Sequence, residues 1–104
     1  MNQVIKIPHL EYTVYLKDVK QAKGQIAESL KLLQAGTTHE STKSSTIWIK
    51  LPITFMESPT LGHEIIHVLQ NICRERNIDF ILEEEHVAYL FHYIMNECLG
   101  YKYK

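Results

Sequence analysis

The chain is poor in the residues that mark special architectures. Four glycines and three prolines in 104 residues exclude collagen-like or low-complexity composition. The two cysteines, Cys73 and Cys98, show no Cys-x-x-Cys spacing and sit in helix-like segments. They read as buried, reduced thiols of a cytoplasmic protein, with a bridge between two helices as the alternative. No apolar run approaches the roughly 20 residues that cross a bilayer. The start shows no basic stretch leading into an apolar one, so no secretory signal is expected. The net charge is only -1, so no overall field draws the chain to nucleic acid or an anionic membrane.

What is present suits one globular domain: 45% hydrophobic and 22% charged residues, near the lower size limit for a self-sufficient core. The charge is unevenly divided. Residues 1–50 carry seven lysines against four acids, and residues 51–104 carry four basic residues against eight acids. A carboxylate-rich half suits a cation site, and a solvated acidic helix end accounts for it equally well.

Valine, isoleucine, tyrosine and threonine cluster from Val4 to Leu16, most clearly over Tyr12–Leu16, which predicts a strand. From about Lys17 to Ala35 the pattern turns helical, with Ile26, Leu30 and Leu33 on one face. Gly24 moves the expected start toward Gln25, and Gly36 supplies a stop. The polar stretch from Gly36 to Ser45 leaves room for a short strand. Ile47, Ile49 and Leu51 alternate on one face of a half-buried strand over Thr46–Leu51, and Pro52 after it suits a sheet edge. Trp48 alternates with that face, which leaves its exposure open. Ser58 as N-cap and Pro59 at the first helical position predict a helix over 58–76, favoured at its end by Arg74 and Arg76. A last helix runs over 83–99, opening on three glutamates and closing before Gly100. Tyr101 and Tyr103, flanked by lysines, read as a frayed tail.

Residues 63–67 read His-Glu-Ile-Ile-His, the pattern H-E-x-x-H. Histidines four apart on a helix lie about 40° apart around the axis and one turn apart along it. Both imidazoles can therefore grip one ion. Zinc accepts such ligands and needs a third protein ligand to leave one position for water. The intervening Glu64 lies where it can take a proton from that water. With six histidines and ten glutamates, roughly 0.03 matches to the pattern are expected by chance in a chain of this length. It also falls on a suitable helix. With His63 at 0°, Leu61, Ile65, Val68, Leu69 and Ile72 occupy about 140–240°, and Ile66 and Cys73 extend the apolar cover to about 300°. His63, Glu64 and His67 are left on one polar seam.

The last helix repeats the pattern. With Glu85 at 0°, Tyr89, His92 and Asn96 fall within about 40°, while Val87, Phe91, Ile94, Met95 and Cys98 cover about 180–280°. Glu84, at about 260°, and Glu83, at about 160°, are less well placed than Glu85 to face a shared ion. His86 falls about 100° from Glu85, toward solvent, and His9 and His39 carry no supporting pattern.

The segment His63-Glu64-Ile65-Ile66-His67, followed by a helix with Glu85-His86-Val87-Ala88-Tyr89, resembles the zincins that use Glu as third ligand. It is most similar to small stand-alone zincin-like proteins of bacteria, phages and mobile elements, over roughly residues 46–99. The resemblance implies zinc ligands at His63, His67 and Glu85, one Zn2+ per chain, and Glu64 as general base. It also implies that a strand like Thr46–Leu51 lines the cleft and can pair with an extended peptide. Gln70 and Cys73 stand where the metzincin branch has Gly and His, which excludes that branch. The domain that completes the cleft in larger relatives is missing, and no motif assigns an oxyanion-stabilising residue. Tyr89 and His92 are candidates for that role, or for a supporting one, by position alone.

The expected fold is α+β: a minimal zincin-like domain with a small, twisted, mostly antiparallel sheet packed on helices. Residues 1–52 would form strand, helix and two strands, and 58–76 and 83–99 the two metal-bearing helices. The expected function is zinc-dependent hydrolysis of a peptide bond in the cytoplasm. The alternative is a zinc-stabilised binding module that has lost catalysis and acts on a protein partner. Neither nucleic acid nor membrane is an expected partner, and the oligomeric state is not readable.

Overall fold

The computed structural model describes residues 2–33 and 36–100. The expected end of the first helix at Ala35 and the frayed tail at Tyr101 and Tyr103 lie outside the described residues, as do the side chains of Ser29 and 31–33. The strands are β1 (Gln3–Ile7), β2 (Tyr12–Asp18), β3 (Gly36–Glu40) and β4 (Ser44–Ile49). The α-helices are α1 (Gln25–Leu33), α2 (Ser58–Arg76) and α3 (Glu84–Leu99). Short 3-10 turns occupy Pro8–Leu10, Val19–Gln21 and Phe55–Glu57.

The sheet is mixed, in the order β1-β2-β4-β3. β1 and β2 are antiparallel, with Ile5 opposite Val14 and Ile7 opposite Tyr12. The single run read from Val4 to Leu16 is thus two strands, separated where Pro8 starts a 3-10 turn and Glu11 takes a left-handed conformation. From β2 the chain passes through α1 to the far edge, forms β3, and returns as β4 between β3 and β2. β4 pairs parallel with β2 and antiparallel with β3. The strand expected over Thr46–Leu51 spans Ser44–Ile49 and is interior, so it neither lines the cleft nor offers a free edge to a peptide; the edges are β1 and the polar strand Gly36–Glu40. An edge strand with one half-wetted face needs little apolar alternation, so its composition is weak as a strand signal.

Alternation places Ile5, Ile7, Tyr12, Val14, Leu16, Ile47 and Ile49 on one face of the sheet, all buried. Against that face α2 packs Leu61, Ile65, Val68, Leu69 and Ile72, and α3 packs Val87, Leu90, Ile94 and Cys98, in one hydrophobic cluster. Fully burying each of these aliphatic side chains contributes about 1.5–3 kcal/mol. Cys73 and Cys98 are both free and buried. On the opposite face Trp48 is 8% exposed, with the Lys17 ammonium 5.5 Å from its ring centroid.

α2 spans the residues that its sequence signals predicted, but its cap differs. Ser58 lies inside the helix and its Oγ donates to the Phe55 carbonyl at 3.0 Å. The capping role belongs to Thr54, four residues earlier. Its Oγ1 accepts from the Met56 N–H at 3.3 Å, and its own N–H donates to Glu57 Oε1 at 3.2 Å, a capping box ahead of the helix proper. At the other end Asn77 is left-handed and its N–H donates to the Cys73 carbonyl, ending the helix as such caps do. α3 closes likewise at Gly100.

Candidate metal centre

Helical periodicity brings His63 and His67 to one flank of α2. Both rings are exposed, and their Nε2 atoms are 3.2 Å apart. The rings meet edge-on, with centroids 4.9 Å apart and planes 74° from parallel. Two nitrogens bound to one tetrahedral zinc at roughly 2.0–2.1 Å stand about 3.3 Å from each other. The spacing suits two ligands of one zinc ion, and it is equally that of a hydrogen bond between the two rings.

Glu64, one step further around α2, points toward β3 and is 5% exposed. Its Oε1 accepts a hydrogen bond from Thr38 Oγ1 at 2.7 Å. A buried carboxylate needs such a donor, because desolvation without one costs several kcal/mol. Between α2 and β3 opens a cleft of about 660 Å³, lined by Gly36, Thr38, Glu40, His63, Glu64 and His67 among others. That volume is in the usual range for small-ligand sites.

Close approach of β3 to α2 makes the cleft, and Gly36 permits it. A Cβ at Gly36 would lie 2.9 Å from the Trp48 carbonyl oxygen and 3.2 Å from Thr60 Cγ2. At the other end of β3 a polar chain ties strand to helix. Arg74 meets Glu40 at 3.5 Å and donates to Asn71 Oδ1 at 2.8 Å. Asn71 Nδ2 donates to the Ser41 carbonyl at 2.8 Å and to the Tyr12 hydroxyl, which is bonded in turn to Ser45 Oγ.

The other residues expected at the site are elsewhere. Glu85 stands exposed in the first turn of α3 and does not line the cleft. α3 turns Val87, Leu90, Ile94 and Cys98 inward, so the Glu85, Tyr89 and His92 stripe lies on the side away from the core, and all three are exposed. α3 also approaches α2 at Gly62, where an added Cβ would lie 3.8 Å from Met95 Cε. Gly62 is about 100° around α2 from His63, so α3 and the β3 cleft meet different flanks of α2. Tyr89 lines a separate pocket with His9 and Tyr93 near β1. His86 lies beside Glu83, 3.8 Å from its Oε1, and faces His9 with ring centroids 5.9 Å apart. Among the described residues no three His, Cys, Asp or Glu side chains converge closely enough to hold a metal ion.

Gly36, Thr38 and Glu40 on β3 are among the cleft residues that sequence reasoning missed. Gly36 was legible only as a helix stop, and nothing in the pattern around Thr38 and Glu40 distinguishes them from loop residues. No family model, curated protein or solved structure matches the chain significantly.

Proposed function

We propose that this chain is a zinc-dependent hydrolase of peptide bonds, with His63 and His67 as metal ligands and Glu64 as general base. The observation that carries the reading is the 3.2 Å separation of the two Nε2 atoms, beside a buried carboxylate in the same cleft. A zinc ion held there would polarise the scissile carbonyl and lower the pKa of a water toward about 7. Glu64 would take the proton of the attacking water and deliver it to the leaving amine. His63 and His67 orient the assembly from a rigid helix, and the cleft admits a substrate along β3. Catalytic zinc takes three protein ligands; Glu85, the third that the resemblance implies, stands exposed outside the cleft, so among the described residues only the two imidazoles are brought together. Two free thiols agree with a cytoplasmic setting.

Glu64→Gln and the double variant His63→Ala/His67→Ala test the reading together. Zinc content is measured after dialysis, and cleavage is followed on a mixed peptide library with and without chelator. Glu64→Gln should keep zinc and lose at least about 100-fold in turnover, whereas the double variant should lose both. Full turnover by Glu64→Gln would remove Glu64 as the base, and zinc retained by the double variant would remove the metal site.

A further inference from the structure

We infer that Thr38 is the positioning residue for the general base, holding Oε1 of Glu64 and leaving Oε2 to act as the base. The inference rests on the hydrolase reading given above. Thr38 sits on the edge strand, 26 residues before Glu64, and no sequence pattern joins the two. Its hydroxyl donates to Glu64 Oε1 at 2.7 Å and lies 3.5 Å from the Glu64 main-chain carbonyl oxygen. A threonine hydroxyl has one proton to give, and the shorter contact takes it.

The consequence is an asymmetric carboxylate. Oε1 is occupied by Thr38, and a carboxylate has capacity for further donors, so Oε2 is the oxygen left to receive the proton of a water. Rotation about the last torsion of a glutamate is broad and nearly two-fold, so an unanchored carboxylate would sample orientations in which neither oxygen is aimed. β-branching restricts Thr38 at χ1, and β3 is held by its pairing with β4, where Thr38 stands opposite Ile47. The donor is therefore fixed by the sheet and the acceptor by α2. Gly36, two residues earlier on the same face, allows strand and helix the separation that this bond requires.

The test compares Thr38→Val, which is nearly isosteric and lacks the hydroxyl, with Thr38→Ser, which keeps it. Each variant is first matched to the parent by circular dichroism and zinc content. In the metal-free protein the carboxylate stretch of Glu64, isolated by infrared difference against Glu64→Gln, should shift in Thr38→Val and return in Thr38→Ser. In the zinc-loaded protein kcat should fall roughly 10- to 100-fold in Thr38→Val, the range for losing a hydrogen bond to a charged group, with KM and zinc affinity unchanged. Thr38→Ser should recover most of the loss. An unshifted stretch, or full kcat in Thr38→Val while Glu64→Gln is inactive, would overturn the positioning role and leave the hydrolase reading intact. A parent protein without turnover, or a fully active Glu64→Gln, would overturn both. Should Thr38→Val fail to fold, Thr38→Ala and the serine variant carry the same comparison.

Discussion

Arg76 shows how much of this small fold depends on single polar side chains. Its guanidinium donates to the carbonyls of Leu10 at 2.6 Å, Thr42 at 2.9 Å and Glu11 at 3.1 Å, and lies over the Tyr12 ring, 5.6 Å from the centroid. One residue at the end of α2 thus satisfies main-chain oxygens in the β1–β2 turn and in the β3–β4 turn. A charged donor is worth about 1.5–3 kcal/mol per hydrogen bond when it is removed from a partly buried acceptor. Arg76→Ala should therefore lower unfolding free energy by about 2–4 kcal/mol in urea titration. Arg76→Lys should recover only part, because an ammonium cannot present the guanidinium fork. A loss under about 0.5 kcal/mol would show that water replaces these contacts.

At the scale of the element, α3 is defined by its buried face. Val87, Leu90, Ile94 and Cys98 are 0–8% exposed, and together they set the rotation of the helix on the sheet. Turning Glu85 toward the imidazole pair would expose part of this row, at roughly 1.5–3 kcal/mol for each large side chain uncovered. Glu85→Gln should consequently leave zinc affinity within about twofold of the parent in a competition titration, where loss of a true ligand would cost far more than loss of an outer hydrogen-bond partner, itself about 10- to 100-fold. A drop of that order would mean that α3 rotates or unwinds when metal binds. No helix among the described residues is long and apolar enough to cross a membrane, and the apolar faces of α2 and α3 are spent on the sheet.

For the molecule as a whole, the packed core fixes the pH window of stability on the alkaline side. Burial pushes the Cys98 thiol from its ordinary 9.0 up to about 12, and the Glu97 carboxylate adds to the rise. Burial also raises Cys73, helped by Glu83 and Asp79, and raises Tyr12, against the lowering effect of its bonds to Ser45 and Asn71. A raised folded pKa means that the native state holds a proton which the unfolded chain releases. The associated stability is complete below pH 9 and declines as pH rises toward 12. For Cys98 alone the decline amounts to on the order of 4 kcal/mol, a large share of the 5–15 kcal/mol typical of a domain. Cys98→Ala, compared with the parent in urea titrations from pH 8 to 11, should show a shallower alkaline decline. Equal slopes would show that the thiol is not shielded.

Local order alone determined the two long helices, their buried faces and the imidazole pair. The signals for 58–76 and 83–99 are periodic over many turns, and histidines four apart meet on any α-helix whatever surrounds it. Tertiary structure decided the rest. Periodicity says that one face of α3 is apolar and one polar, but not whether the polar stripe meets α2 or solvent. The Glu85 stripe proved to be the solvent side. The strand that walls the cleft was equally hidden, because Gly36–Glu40 draws its structure from main-chain pairing with β4 rather than from apolar alternation. Thr38 reaches Glu64 across 26 residues of chain, a distance over which side-chain spacing carries no information and only the crossover through the sheet does.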